Sequence, residues 1–131
     1  MSQENVDRFI ASTEAFNRRD LEAWLSAYDP EAVIEPQAAA FEGSSSGHEG
    51  LREFYAGLCE SFDQIEVRYP DIRDLGDRVL ALGTIHVVGA ESQVETEAPV
   101  AIIATYRDGL CVHWKDFGDH AQALEAAALS Q

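Results

Sequence analysis

An acidic residue lies near the end of the last strand-like segment, among large apolar side chains. This segment follows Asp108-Gly109, a dipeptide typical of tight β-hairpins, and runs from Leu110 to Phe117. Strict alternation predicts two faces, one with Leu110, Val112, Trp114 and Asp116 and the other with Cys111, His113, Lys115 and Phe117. A carboxylate on the first face either reaches water at the strand end or lies in an apolar pocket, where it can exchange protons with a bound compound. Asp116 is therefore a candidate catalytic residue.

A histidine lies in an earlier strand-like segment with a similar pattern. His86 shares one predicted face with Leu80, Leu82, Thr84 and Val88. A histidine in that position either makes a hydrogen bond within the core or acts as a proton shuttle. The other histidines, His48, His113 and His120, lack the two-histidine and one-carboxylate spacing of common metal sites. We therefore take His86 as a candidate catalytic residue and predict neither a metal nor a cofactor.

Four aromatic residues are candidates for lining a small-molecule pocket: Trp24, Tyr28, Tyr55 and Trp114. Each could instead pack in the core without touching a ligand. The phenol of Tyr28 needs a hydrogen-bond partner if it is buried, which favours a ligand contact there.

Composition and charge limit the classes of partner. The chain has 131 residues, 46% of them hydrophobic, which is enough for one domain with a substantial core. Nine basic residues against 24 acidic ones give a net charge of −15, which disfavours nucleic acids and anionic membranes. The N-terminal residues lack the basic and apolar regions of a signal peptide, so we expect a cytoplasmic protein. Cys59 and Cys111 show no CxxC spacing, and two buried free thiols are expected in preference to a disulfide.

The elements that must position these residues follow a simple order. Helical periodicity is found from Asn5 to Arg19, in a short segment after Asp20, and from about His48 to Phe62. Residues 37–47 are predicted to form a loop, and strand-like patterns follow as far as Phe117, before a short C-terminal helix. Helices followed by antiparallel strands predict an α+β fold, in which a curved sheet wraps around the N-terminal helices and leaves a central pocket.

The chain resembles a known superfamily in this order of elements and in four short motifs. These are residues 17–24 (NRRDLEAW), residues 28–33 (YDPEAV), residues 47–51 (GHEGL) and the hairpin at Asp108-Gly109. They resemble the nuclear transport factor 2-like superfamily, in particular its SnoaL-like branch, over nearly the whole chain. The resemblance implies a single domain over residues 1–131, a cone-shaped α+β barrel with an open pocket, and a homodimer formed through the sheet. The superfamily includes isomerases, dehydratases, hydrolases, cyclases and non-catalytic binders.

The resemblance also implies roles for particular residues. Glu35-Pro36 is similar to the Asp-Pro pair that holds the general base of ketosteroid isomerases, although Ser12 stands near the position of the tyrosine in their oxyanion hole. The segment Trp114-Lys115-Asp116 resembles the Trp-Arg-Asp of limonene epoxide hydrolases, but residues 82–86 lack the partner Arg-x-Asp. His113-Trp114 resembles polyketide cyclases, in which the acid follows one position earlier than Asp116. Glu35 thus joins Asp116 and His86 as a candidate catalytic residue.

Together these observations predict a SnoaL-like protein that binds a small apolar organic ligand. As an enzyme, it would use carboxylate acid/base chemistry of isomerase, cyclase or dehydratase type on an apolar carbonyl compound, without a cofactor. One alternative is a non-catalytic ligand carrier or sensor. Another is a homodimeric interaction module with a vestigial pocket, in which one outer face of the sheet supplies the contact through Ile85, Val87, Ala101 and Ile103.

Overall fold

Four helices and six strands make up the described part of the chain. The structure is a computed structural model that describes residues 2–35 and 45–129. The helices are α1 (Ser2–Asn17), α2 (Leu21–Leu25), α3 (Gly47–Ser61) and α4 (His120–Leu129). The strands are β1 (Tyr28–Glu35), β2 (Ser45–Ser46), β3 (Phe62–Asp74), β4 (Arg78–Gly89), β5 (Glu95–Arg107) and β6 (Leu110–Phe117). The predicted loop over residues 37–47 lies largely outside the described residues. None of the described helices has the length and apolarity that a membrane crossing requires.

The strands form one sheet in the order β2-β1-β6-β5-β4-β3, which confirms the predicted α+β class. Neighbouring strands are antiparallel except for β1 and β6, which run parallel, so the sheet is mixed and not wholly antiparallel as predicted. The successive hairpins from β3 to β6 fix only antiparallel pairs. Since β1 reaches β6 from the other end of the chain, no turn constrains its direction.

The two faces of the sheet pack against different helices. On the inner face, Val79, Ala81, Ile102 and Ala104 share a core with residues of α1, α2 and α3, including Phe9, Trp24 and Leu51. On the outer face, Leu80, Leu82, Ala101 and Ile103 pack under Ala123 and Ala127 of α4. Burying both faces in this way stabilises the sheet through the hydrophobic effect.

This arrangement corrects the apolar outer face predicted for a dimer. Ile85 pairs with Ala98 and lines the inner side of the sheet, whereas Ala101 and Ile103 face outward beneath α4. The four residues therefore do not share a face. The C-terminal helix already covers the outward pair, because its buried alanines need an apolar surface to pack on.

A β-bulge in β6 shifts the alternation of its side chains. Tyr106 pairs with Cys111 and Thr105 with His113, so Val112 has no partner on β5. Cys111 consequently lies on the inner face with Trp114, and the prediction that these two residues lie on opposite faces was wrong. Periodicity alone cannot reveal an extra residue of this kind, because the bulge depends on the partner strand.

The two cysteines are free, as predicted, but only Cys111 is buried. Burial raises the pKa of the Cys111 thiol to about 12. Cys59, on α3, is half-buried.

Candidate functional site

An apolar cavity of about 270 Å³ lies between the helices and the inner face of the sheet. Helices α1, α2 and α3 form one side, and strands β1 and β3 to β6 form the other. Its aromatic lining consists of Phe16, Trp24, Tyr28, Phe54, Tyr69, Trp114 and Phe117. Small apolar ligands bind in concave sites of this size and character, where a few polar groups fix their orientation.

Asp116 supplies the carboxylate of this cavity. It pairs with Ile102 of β5 on the inner face, and its Oδ1 accepts a hydrogen bond from Trp114 Nε1 at 3.3 Å. The bulge at Val112 sets the register that places both side chains on this face after Cys111. Among the described residues that line the cavity, Asp116 is the only Asp, Glu, His, Lys or Arg. It is therefore the group best placed for proton transfer.

Two tyrosines extend the polar part of the cavity. Tyr28, at the start of β1, is only 2% exposed, and Tyr69 belongs to β3. Burial raises the pKa of Tyr28 well above its usual range, and the negative charge of Asp116 makes a smaller contribution in the same direction. The pKa of Tyr69 is raised for the same two reasons, burial first and Asp116 second. Both phenols therefore stay protonated at neutral pH and can donate hydrogen bonds.

The position of Tyr69 depends on a glycine in the neighbouring strand. The register of β3 shifts between Arg68 and Asp71, so two residues of β3 lie opposite Gly83 of β4. A Cβ on Gly83 would lie 1.8 Å from the backbone oxygen of Arg68. The absence of a side chain at Gly83 is thus what allows the bulge at Tyr69-Pro70. Sequence reasoning did not identify Tyr69 as a pocket residue, although its alternation with Val67 was a usable signal.

Helix α1 contributes two hydroxyl groups to the lining. The Oγ1 of Thr13 donates a hydrogen bond to the carbonyl oxygen of Phe9 at 3.0 Å. Ser12 is 6% exposed and is the buried polar side chain of this wall. Neither residue can replace a carboxylate as a base at neutral pH, since an unactivated hydroxyl holds its proton too tightly.

The four predicted pocket aromatics occupy two layers. Trp24, Tyr28 and Trp114 line the cavity, and the centroids of the Trp24 and Tyr28 rings are 5.1 Å apart. Tyr55 lies behind this layer, with its ring against Phe16 and Trp24 and its hydroxyl 3.4 Å from the carbonyl oxygen of Phe16. Tyr55 thus supports the cavity wall without lining the cavity.

The structure places Glu35 outside the cavity, which corrects its expected role there. Ile34 points into the lining, so the next residue, Glu35, points to the other face of β1. There its carboxylate contacts His113 Nε2, and both side chains are about 40% exposed. The similarity of Glu35-Pro36 to the isomerase pair implied a general base in the cavity, and this geometry does not support that role for Glu35. Alternation with the buried Ile34 was the signal that argued against it.

His86 also lies away from the cavity. It pairs with Glu66 on β3 and Glu97 on β5, and with Arg68 and Thr84 these residues form a polar groove on the sheet. In the register of β4, His86 shares the outer face with Leu80 and Leu82, whereas Ile85 lines the cavity. A proton shuttle to the cavity from His86 is therefore excluded by the direction of its side chain.

No metal-binding cluster is present in the part of the chain that the structure describes. No three His, Cys, Asp or Glu side chains converge within residues 2–35 and 45–129. Asp116 is the only carboxylate among the described lining residues, and most of the lining is apolar. The chemistry of the lining fits an organic ligand better than an ion.

Comparisons with known proteins agree with this fold. No curated protein sequence matches the chain. The structure of TerC co-crystallized with polyporic acid superimposes with a TM-score of 0.80 at 25% identity, over 95% of this chain and 98% of the other. An NTF2-like protein of unknown function from Burkholderia pseudomallei K96243 gives 0.82 at 22% identity, over 93% and 95% of the two chains. A proposed polyketide cyclase from Xanthomonas campestris pv. campestris gives 0.76 at 21% identity, over 96% and 98%. The model of the SnoaL-like domain matches residues 6–114, and the chain therefore belongs to the SnoaL-like domain family.

Proposed function

We propose that the protein binds an apolar organic compound in the cavity and that Asp116 exchanges a proton with it. The observation that carries this proposal is one carboxylate in a described lining that is otherwise aromatic and aliphatic, apart from the hydroxyl-bearing side chains of Ser12 and Thr13 and the phenols of Tyr28 and Tyr69. An apolar surrounding strengthens electrostatic interactions and excludes water, both of which assist proton transfer. The compound class that fits is a carbonyl compound, since a carboxylate can remove an α-hydrogen when hydrogen bonds stabilise the enolate that forms.

The proposed step begins with proton removal. The carboxylate of Asp116 takes a proton from the carbon next to the carbonyl. The electron pair of the broken C–H bond forms a C=C bond, and the π electron pair of the carbonyl moves to its oxygen. Tyr28 and Tyr69, which hold their protons because burial raises their pKa, are placed to donate hydrogen bonds to the resulting enolate. The protonated Asp116 then returns the proton to the same or another carbon. The net result is exchange or isomerisation without a cofactor.

A relative supports the binding part of this proposal. TerC, which shares 25% identity and nearly the whole fold with this chain, was crystallised with an organic compound, polyporic acid. The cavity described above is the concave apolar site of this chain that suits such a ligand.

The test measures proton exchange directly. A model ketone such as 2-tetralone is incubated in D₂O with the protein, and loss of its α-proton signals is followed by NMR. The wild type should accelerate exchange, and Asp116→Asn should lower the acceleration by about 100-fold or more.

The matched controls are Glu35→Gln and His86→Gln, which alter the two polar groups outside the cavity. We expect both to retain the exchange rate of the wild type. Equal exchange by the wild type and Asp116→Asn would refute the role of Asp116.

A non-catalytic carrier or sensor is the second candidate function. It is favoured by the same lining, because Asp116 is the only carboxylate among the described lining residues, and many acid/base mechanisms use two such groups. This function predicts that a ligand raises the melting temperature without any exchange or product formation. Thermal unfolding and NMR on one sample distinguish the two functions.

We also propose that the protein is a homodimer formed through the sheet, as the family resemblance implies. The groove of Glu66, Arg68, Thr84, His86 and Glu97 belongs to the outer face and is a polar surface available for this contact. Light scattering coupled to size-exclusion chromatography tests the proposal. A monomer at micromolar concentration would contradict the dimer and, with it, the interaction-module function.

A further inference from the structure

Three hydroxyl groups of the cavity lining make no hydrogen bond within the described part of the chain. They belong to Ser12, Tyr28 and Tyr69. The hydroxyl of Thr13, in the same lining, is by contrast engaged, because it donates to the carbonyl oxygen of Phe9 at 3.0 Å. We call the three unbonded groups the open hydroxyls.

The open hydroxyls are accessible from the cavity. Among the described residues, every side-chain nitrogen or oxygen atom that is sealed from solvent has a hydrogen-bond partner. An oxygen without a partner must therefore be within reach of a water-sized group. Ser12 is 6% exposed and Tyr28 is 2% exposed, and both line the cavity together with the half-buried Tyr69. The cavity is thus the space from which these oxygens are reached.

The residues with open hydroxyls come from different elements but gather around one aromatic contact. On α1, Ser12 lies one turn after the fully buried Phe9, on the same face of the helix. The centroid of the Phe9 ring is 5.2 Å from that of Tyr69 and 5.6 Å from that of Trp114. The Trp114 ring is in turn 6.3 Å from the Tyr28 ring. Helix α1 and strands β1 and β3 therefore bring their hydroxyls to the same part of the cavity.

A ligand that fills this part of the cavity displaces water from the open hydroxyls. An acceptor oxygen on the ligand replaces the lost hydrogen bonds, whereas a hydrocarbon leaves the hydroxyls unpaired and binds more weakly for that reason. Burial raises the pKa of Tyr28 and Tyr69, so both phenols keep the protons that they would donate. This effect requires no charge on the ligand or on Asp116.

We infer that the open hydroxyls form an oxygen-binding subsite, through which the cavity selects apolar ring compounds with an acceptor oxygen over hydrocarbons of the same shape. The inference rests on the proposed binding function and names the chemical group by which the ligand is recognised. It does not depend on proton transfer. Ser12, which has no part in the proposed proton transfer, is here a residue that determines specificity.

The experiment compares 2-tetralone with tetralin, which has the same two rings and a CH₂ group in place of the carbonyl. Dissociation constants of both compounds are measured by calorimetry for the wild type, Ser12→Ala and Tyr69→Phe. Each substitution should weaken binding of 2-tetralone about fivefold, because a hydrogen bond to the ligand is lost, and should change binding of tetralin less than about twofold. Retained binding of tetralin also shows that the variant is folded.

Thr13→Val is the matched control, because it removes a lining hydroxyl that is already bonded to the backbone. It should change both dissociation constants by the same factor. An equal loss of preference for 2-tetralone in Thr13→Val and Ser12→Ala would overturn the inference. So would variants Ser12→Ala and Tyr69→Phe that bind 2-tetralone as tightly as the wild type does. Failure of the wild type to bind either compound would instead refute the proposed binding function itself.

Discussion

At the scale of single residues, the buried tyrosines link the cavity to the stability of the fold. Burial raises the pKa of Tyr28, Tyr69 and Tyr106 above the ordinary value for tyrosine of 10.0. Tyr28 and Tyr69 line the cavity, and Tyr106 belongs to the core that adjoins it. A phenol must be protonated to donate a hydrogen bond to a ligand. The same protonated form is the one that these three phenols must keep to stay buried in the folded protein.

This coupling predicts a loss of stability in alkali. Above pH 10 the unfolded chain releases phenolic protons that the folded protein retains, so the free energy of unfolding falls as pH rises. The expected slope is about 1.4 kcal/mol per pH unit for each tyrosine whose folded pKa has not been reached. Between pH 7 and 9 these groups should contribute no slope. Urea unfolding at a series of pH values measures the effect.

The variant Tyr69→Phe provides the control for this titration. It removes one titrating phenol and should reduce the alkaline slope by about 1.4 kcal/mol per pH unit. A folded protein whose tyrosines all titrate near their ordinary pKa would contradict the prediction.

At the scale of elements, periodicity predicted most helices and strands because local pattern determines them. The strand β6 has the predicted bounds, and α3 begins and ends within one residue of the prediction. Local periodicity could not predict the contacts between distant segments. The parallel pairing of β1 with β6 and the unpaired Val112 both depend on which strand lies alongside, which a single segment does not encode. Glu35 and Tyr69 are different cases, because alternation with Ile34 and with Val67 was a local signal for the side of the strand on which each of them lies.

The bulge of β3 gives a prediction at this scale. Gly83→Ala should destabilise the protein by about 3 kcal/mol, because the added methyl group collides with the backbone at Arg68. It should also weaken ligand binding, since relief of the collision displaces Tyr69. Chemical denaturation and calorimetry measure the two effects.

Gly76→Ala is a suitable comparison. Gly76 has a φ of +90°, but an added Cβ would meet no atom within 4 Å, so only backbone strain of about 1 kcal/mol is expected. Ligand binding should not change in this variant. If Gly83→Ala were as mild as Gly76→Ala, the close approach of β3 to Gly83 would be refuted.

At the scale of the whole molecule, charge opposes compactness. The chain carries a net charge of −15, and its ion pairs are largely exposed, so they offset little of the mutual repulsion. The order of helical and strand-like patterns predicted the α+β class, whereas the net charge follows directly from composition. Composition could not predict which of the 24 acidic residues enters the cavity, because that depends on register.

Added salt should therefore stabilise the protein. Raising sodium chloride to about 0.5 M screens the repulsion and should increase the melting temperature by several degrees. Circular dichroism during heating measures it. Glu95→Gln, which removes an exposed charge from β5, should raise the melting temperature at low salt and have little effect at high salt. A melting temperature that falls with added salt would show that attractive pairs dominate.

The unpaired Val112 has a consequence for how such a site can evolve. If β6 kept its eight amino acids and Cys111 stayed inside, a strand without the bulge would turn His113 and Lys115 inward and carry Asp116 out. The cavity would then present an amine in place of a carboxylate, although no amino acid had been exchanged. The type of ionisable group that faces the cavity therefore depends on strand alignment as well as on which amino acids the strand contains.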